Sequence, residues 1–64
     1  MTSTGNRVQT RREELGLSRS ALAKRLNTTR LRIYRIENGL TQIPADDLPS
    51  FASALETTPA ELLA

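Results

Sequence analysis

The chain has 64 residues, with nine Lys and Arg, seven Asp and Glu, and neither Cys nor His. That length allows one domain. The missing residue types exclude disulfides, thiolate metal sites and Cys–His or Ser–His catalytic pairs, and no apolar run approaches the roughly 18 residues of a membrane span. Charge is placed unevenly: residues 1–36 carry all nine basic residues with only Glu13 and Glu14, a net +7, whereas residues 37–64 carry five acids and no base, a net −5.

Five short helices are expected, because no segment alternates apolar and polar residues long enough for a strand. The first spans about 6–15. Val8, Arg12 and Leu15 share one helical face there, Ser3 or Thr4 is the cap, and Gly16 is placed for a left-handed stop. The second spans about 19–26, with Ser18 as N-cap and Leu22 and Leu26 as its apolar stripe. The third spans about 30–38, between the cap Thr29 and the stop Gly39. The fourth spans about 48–55, capped by Asp46 or Asp47, with Pro49 confined to the first turn. The fifth starts at Pro59 behind Thr58. The expected core is Val8, Leu15, Leu17, Leu22, Ala23, Leu26, Ile33, Ile36, Leu48, Phe51, Ala52, Leu55, Leu62 and Leu63.

The stretch Ser18–Gly39, "SRSALAKRLNTTRLRIYRIENG", holds six of the nine basic residues and also a regular apolar pattern. Only Asn27, Thr28 and Thr29 separate its two helices, so the helices must cross steeply. Such a turn needs a residue with positive φ, and Asn27 stands where it is needed. Ala23 lets the two backbones approach. On a helical wheel, Ile33 and Ile36 fall together and define the buried side. Tyr34, Leu31 and Arg35 fall on the opposite side, facing outward, with Arg30 and Arg32 on the flanks. Guanidiniums mixed with one aliphatic and one aromatic group suit the DNA major groove. There, Arg bonds guanine in a bidentate manner and an aliphatic side chain meets the thymine methyl.

At these residues the chain resembles the phage repressor/Cro family of helix-turn-helix DNA-binding domains, also called the XRE family. The similarity lies in "RREELGLS" at 11–18, "LAKRLNTT" at 22–29, "IYRIENG" at 33–39 and "LPSFASALETTPAELL" at 48–63. It implies an all-α, lambda-repressor-like bundle over residues 1–64, with the helix-turn-helix at about 18–39. It also implies base reading by Arg30, Leu31 and Arg35, with Tyr34 and Arg32 beside them on bases or phosphates. Ser18 at its helix end, Arg19 and Asn38 would meet phosphates. An ion pair between Arg12 and Glu37 is implied as well. Two features depart from the family pattern. Asn27 replaces the usual Gly of the turn, and the loop "LTQIPADD" lacks the basic residues that several relatives place on phosphates.

The implied function is sequence-specific binding of double-stranded DNA by a transcriptional regulator, a repressor by resemblance. The partner is a palindromic operator bound by a homodimer, weak or monomeric without DNA, because one helix reads few base pairs. The alternative is an antitoxin or another protein-interaction module on the same fold. An enzyme is disfavoured, and no cofactor, metal or membrane is implied. The resemblance places the protein in the cytoplasm, bacterial or phage-encoded and associated with the nucleoid. An end at Ala64, in or just after a helix, suggests the N-terminal part of a longer repressor or a trimmed chain.

Overall fold

A computed structural model of the chain describes residues 3–63. Its helices are α1 (Thr4–Glu14), α2 (Arg19–Arg25), α3 (Arg30–Glu37), α4 (Leu48–Ala54) and α5 (Pro59–Leu63), with a 3-10 turn at Ala45–Asp47 before α4. The described residues contain no strand. They extend 25 × 23 × 22 Å along the principal axes.

Four of the five helices start on a side-chain cap. The hydroxyl of Ser3 accepts from the Asn6 N–H, Ser18 from Ala21, Thr29 from Arg32 and Thr58 from Glu61. Each cap satisfies one of the N–H groups that a helix start leaves without a partner. The Asp46/Asp47 expectation does not hold in this form. Asp47 occupies the N-cap of α4, but its side chain makes no capping bond. Its carboxylate instead takes Arg32 Nη2 at 2.9 Å. An arginine within reach competes for the carboxylate with a backbone N–H, and the ionic partner wins.

The first four helices end alike. The residue after the C-cap is left-handed: Gly16 at φ 71°, Asn27 at 53°, Gly39 at 73° and Glu56 at 56°. The next N–H reaches back to the helix: Leu17 to Arg12 O, Thr28 to Ala23 O, Leu40 to Arg35 O and Thr57 to Ala52 O, at 2.9–3.0 Å. This is the Schellman closure, which satisfies carbonyls that the helix end strands. Glu56 lacks the conformational freedom of Gly or Asn, and arginines from the basic half hold its turn. Arg11 donates from Nε to Leu55 O and from Nη2 to Glu56 O, and Arg25 Nη1 donates to Ala54 O, at 2.9–3.1 Å. Left-handed geometry costs a side-chain-bearing residue about 1–2 kcal/mol. Glu56→Gly should therefore raise stability, by about 1 kcal/mol once the extra freedom of Gly in the unfolded chain is counted. The Arg25–Glu56 pair it removes is exposed and worth less than that. A lower urea midpoint for Glu56→Gly would contradict this account.

Helices α1 and α2 pack on α3, and α5 packs on α1 and α4. The shared core is Val8, Leu22, Ala23, Ile33, Ile36, Phe51, Ala52, Leu55 and Leu62, with Leu15, Leu26, Ile43, Leu48 and Ala54 packed against its edge. Leu17 is only half-buried. Leu63, expected inside, is 60% exposed: on a helix of five residues it follows Leu62 by about 100°, and only one of the pair can face inward.

Candidate nucleic-acid interface

The position of α3 follows from its apolar side. Ile33 and Ile36 are buried, and Ala23 of α2 is buried where the two helices meet. With Asn27 turning the chain between them, α2 lies across α3 and leaves one arc of α3 open to solvent. On that arc stand Arg30, Leu31, Tyr34 and Arg35, all exposed. Leu31 is 54% and Tyr34 45% exposed, among the few large apolar groups that face water. Arg30, Leu31 and Tyr34 line a shallow groove with Thr29 and Arg19, between the start of α2 and the start of α3.

The arginines of α3 differ in their electrostatics. Among the described residues, Arg30 and Arg35 have no acidic group in ion-pair range, so their guanidiniums are available to a ligand. Arg32 turns the other way. Its guanidinium is held by Asp47 and lies 5.8 Å from the Phe51 ring centroid, which ties α3 to α4. Its place on the wheel, next to the Ile36 side, is the reason.

Beneath the open arc lies a buried ionic cluster. Arg12 Nε donates to Glu37 Oε2 at 2.6 Å and Arg12 Nη2 to Glu37 Oε1 at 3.2 Å, a bidentate pair. Arg12 also secures the turn after its own helix by donating from Nη1 to Leu17 O at 2.9 Å. The Glu37 side chain is wholly buried. A second arginine shares it: Arg19 Nε donates to Glu37 Oε1 at 3.0 Å. The Arg19 guanidinium carbon stands 5.4 Å from the centroid of the Tyr34 ring. Sequence reasoning anticipated neither the Arg19–Glu37 bond nor the Arg19–Tyr34 contact. The signal was nonetheless present: Glu37 and Tyr34 fall on either side of Arg30 on the helix wheel, at the edge that α2 enters.

The remaining residues expected at the site have local roles in the free protein. The Ser18 hydroxyl is used as the α2 cap. Asn38, an exposed residue, is the C-cap of α3, and its Nδ2 donates to Tyr34 O at 2.8 Å. Asn27 is the left-handed turn residue, stabilised by its own N–H on Lys24 O at 3.3 Å.

These features define an all-α domain built on two crossed helices joined by a tight turn, with the second helix displayed. The comparison with known families agrees: the helix-turn-helix domain family matches residues 4–64, and the chain belongs to that family. Solved structures share the fold over nearly the whole chain. The P22 c2 repressor, in complex with a synthetic operator, matches at 27% identity and a TM-score of 0.92, over 98% of this chain and 96% of that one. SinR, the master regulator for biofilm formation, solved in complex with DNA, matches at 27% identity and a TM-score of 0.86, over 95% and 98%. HppE contains the same fold within a longer chain: 26% identity and a TM-score of 0.89, over 98% of this chain but 35% of that one.

Proposed function

We propose that the chain is a sequence-specific double-stranded-DNA-binding domain of a transcriptional regulator, a repressor by its likeness to the P22 protein, and that α3 reads an operator half-site in the major groove. One observation carries this reading: α3 turns Arg30, Leu31, Tyr34 and Arg35 to solvent, with Arg30 and Arg35 unneutralised, in a fold also seen on an operator. Guanidinium forks suit guanine O6 and N7, and Leu31 suits a thymine methyl. Arg19 and the second Nδ2 hydrogen of Asn38, at the edges of the arc, are donors that suit phosphate oxygens, where contacts fix register. Arg32 reaches a phosphate only by leaving Asp47, so its contribution is the smallest of the set.

The domain binds its operator as a homodimer on two half-sites about one helical turn apart, and pairs weakly or is monomeric when DNA is absent. Exposed Leu40 and Leu63 offer too little apolar surface for a stable pair alone. No reaction, metal or cofactor is assigned to it. Among the described residues no helix is long and apolar enough to cross a membrane, and the cytoplasm is the proposed location.

Selection from a random DNA pool tests the reading, followed by affinities over a range of salt. The expected result is a palindromic consensus and a log–log salt slope of about −0.9 per phosphate neutralised. No consensus, or affinity indifferent to salt, would overturn it and favour a protein-interaction module. Within that framework, Arg35→Ala should lose about 1–3 kcal/mol on the consensus and relax the preference at one base pair, a G·C. Leu31→Ala should relax a neighbouring T. An equal loss over all single-base variants of the operator would place Arg35 on the backbone instead.

A further inference from the structure

Arg19 is at once part of the buried ionic cluster and part of the exposed groove. Its Nε is bonded to Glu37 Oε1, while its side chain remains 35% exposed. Both oxygens of Glu37 are also engaged by Arg12, itself almost fully buried. The carboxylate that aims Arg19 is therefore fixed by the core. A planar guanidinium held at Nε keeps few free torsions, so its orientation is set before any ligand arrives. Its cationic carbon lies over the Tyr34 ring, within the range where a cation and an aromatic face attract. Tyr34 belongs to the open arc of α3, next to Arg30 and Leu31 in the same groove.

We propose that Arg19 is a positioning residue for specificity: anchored by Glu37, it holds the Tyr34 ring in one place on the base-facing arc, in addition to offering its Nη groups to a phosphate. The inference rests on the proposed DNA-reading role of α3. It departs from a plain phosphate contact in one respect. A phosphate contact requires only the charge of Arg19, whereas positioning requires the fork, bonded at Nε and held over the Tyr34 ring. Lysine preserves the first and loses the second.

Arg19→Lys separates the two. Tyr34 is the chain's one tyrosine and there is no tryptophan, so intrinsic fluorescence anisotropy reports on this ring alone. In the free protein, Arg19→Lys should increase the fast local motion of Tyr34. On the selected operator it should leave the salt slope unchanged and reduce discrimination by about three- to fivefold at one base pair, different from the pair affected by Arg35→Ala. Arg19→Ala should show the same loss of discrimination and also lower the salt slope by about one. With Tyr34→Ala already in place, Arg19→Lys should cost no further discrimination. An Arg19→Lys protein that discriminates operator variants like the parent, or whose Tyr34 motion is unchanged, would overturn the proposal. So would equal discrimination losses for Arg19→Lys with and without Tyr34. Absence of any sequence preference in the parent would instead defeat the DNA-reading role, and the fluorescence result would still decide whether Arg19 holds the ring.

Discussion

Glu37→Ala should destabilise the domain by about 3–5 kcal/mol. The total available to 64 residues is on the order of 3–10 kcal/mol, so this variant should be mostly unfolded or close to it at 37 °C. The cause is the uncompensated charge left behind. Arg12 is 8% exposed, and its guanidinium makes three bonds, two of them to Glu37. Without the carboxylate, Arg12 keeps only Leu17 O, and the nearby Arg19 charge is no longer balanced. Burying an unpaired ion costs several kcal/mol even after relaxation, far more than the net worth of the pair. That asymmetry gives a companion expectation. Replacing the pair together, Arg12→Met with Glu37→Leu, should cost much less than Glu37→Ala, because the buried guanidinium leaves with its carboxylate and the remaining Arg19, 35% exposed, can turn to water. Urea unfolding of the two variants measures both. A Glu37→Ala loss below about 1 kcal/mol would mean that water reaches Arg12 readily, as at an exposed pair.

Gly5→Ala should also destabilise, by about 1–3 kcal/mol, against the usual direction. In a helix interior the change from Gly to Ala ordinarily gains about 1 kcal/mol. Gly5, however, lies buried in α1 where that helix meets the C-terminal turn of α3. A Cβ built there collides with the carbonyl oxygen of Ile36 and stands 3.1 Å from that of Glu37. Both obstacles are backbone, so neither can swing aside as a side-chain tip does. The helices must separate, and Glu37 moves with them. A thermal midpoint above the parent's would show that α1 is not seated on α3 as described. The loss expected corresponds to about 4–8 °C per kcal/mol in a domain of this size.

The sequence carried the helix starts because their chemistry is local. Ser3, Ser18, Thr29 and Thr58 each act within three residues of their own position. Asn27 was legible for the same reason: a three-residue turn between helices forces positive φ on someone, and Asn tolerates it. The open arc of α3 followed from the 3.6-residue repeat, since Ile33 and Ile36 fix which side is inward. What stayed hidden depends on distant partners. Asp47 reads as a cap until Arg32, 15 residues away, is seen to take it. Glu56 gives no local sign of a left-handed turn, because the groups that hold its carbonyl and its neighbours', Arg11 and Arg25, lie 29–45 residues earlier. Gly5 looks like a weak start to a helix rather than a point of close approach, and so the first helix begins at Thr4 rather than near Asn6. The same holds for Arg19: its charge and place were evident, but its bond to Glu37 and its contact with the Tyr34 ring require the crossing of α2 over α3.

The exposed arc of α3, with the start of α2, is proposed as the surface that meets DNA. Titrating the isotopically labelled domain with its selected operator duplex, and following backbone and Arg side-chain NMR signals, tests it most directly. The largest shifts are expected at Ser18, Arg19, Thr29, Arg30, Leu31, Tyr34, Arg35 and Asn38, with the Arg30 and Arg35 guanidinium signals changing most. The acidic half around Glu56 and Glu61 should be nearly silent, apart from any dimer contact that is independent of DNA sequence. Shifts centred on α4 and α5, with Arg30 and Arg35 unmoved, would contradict it.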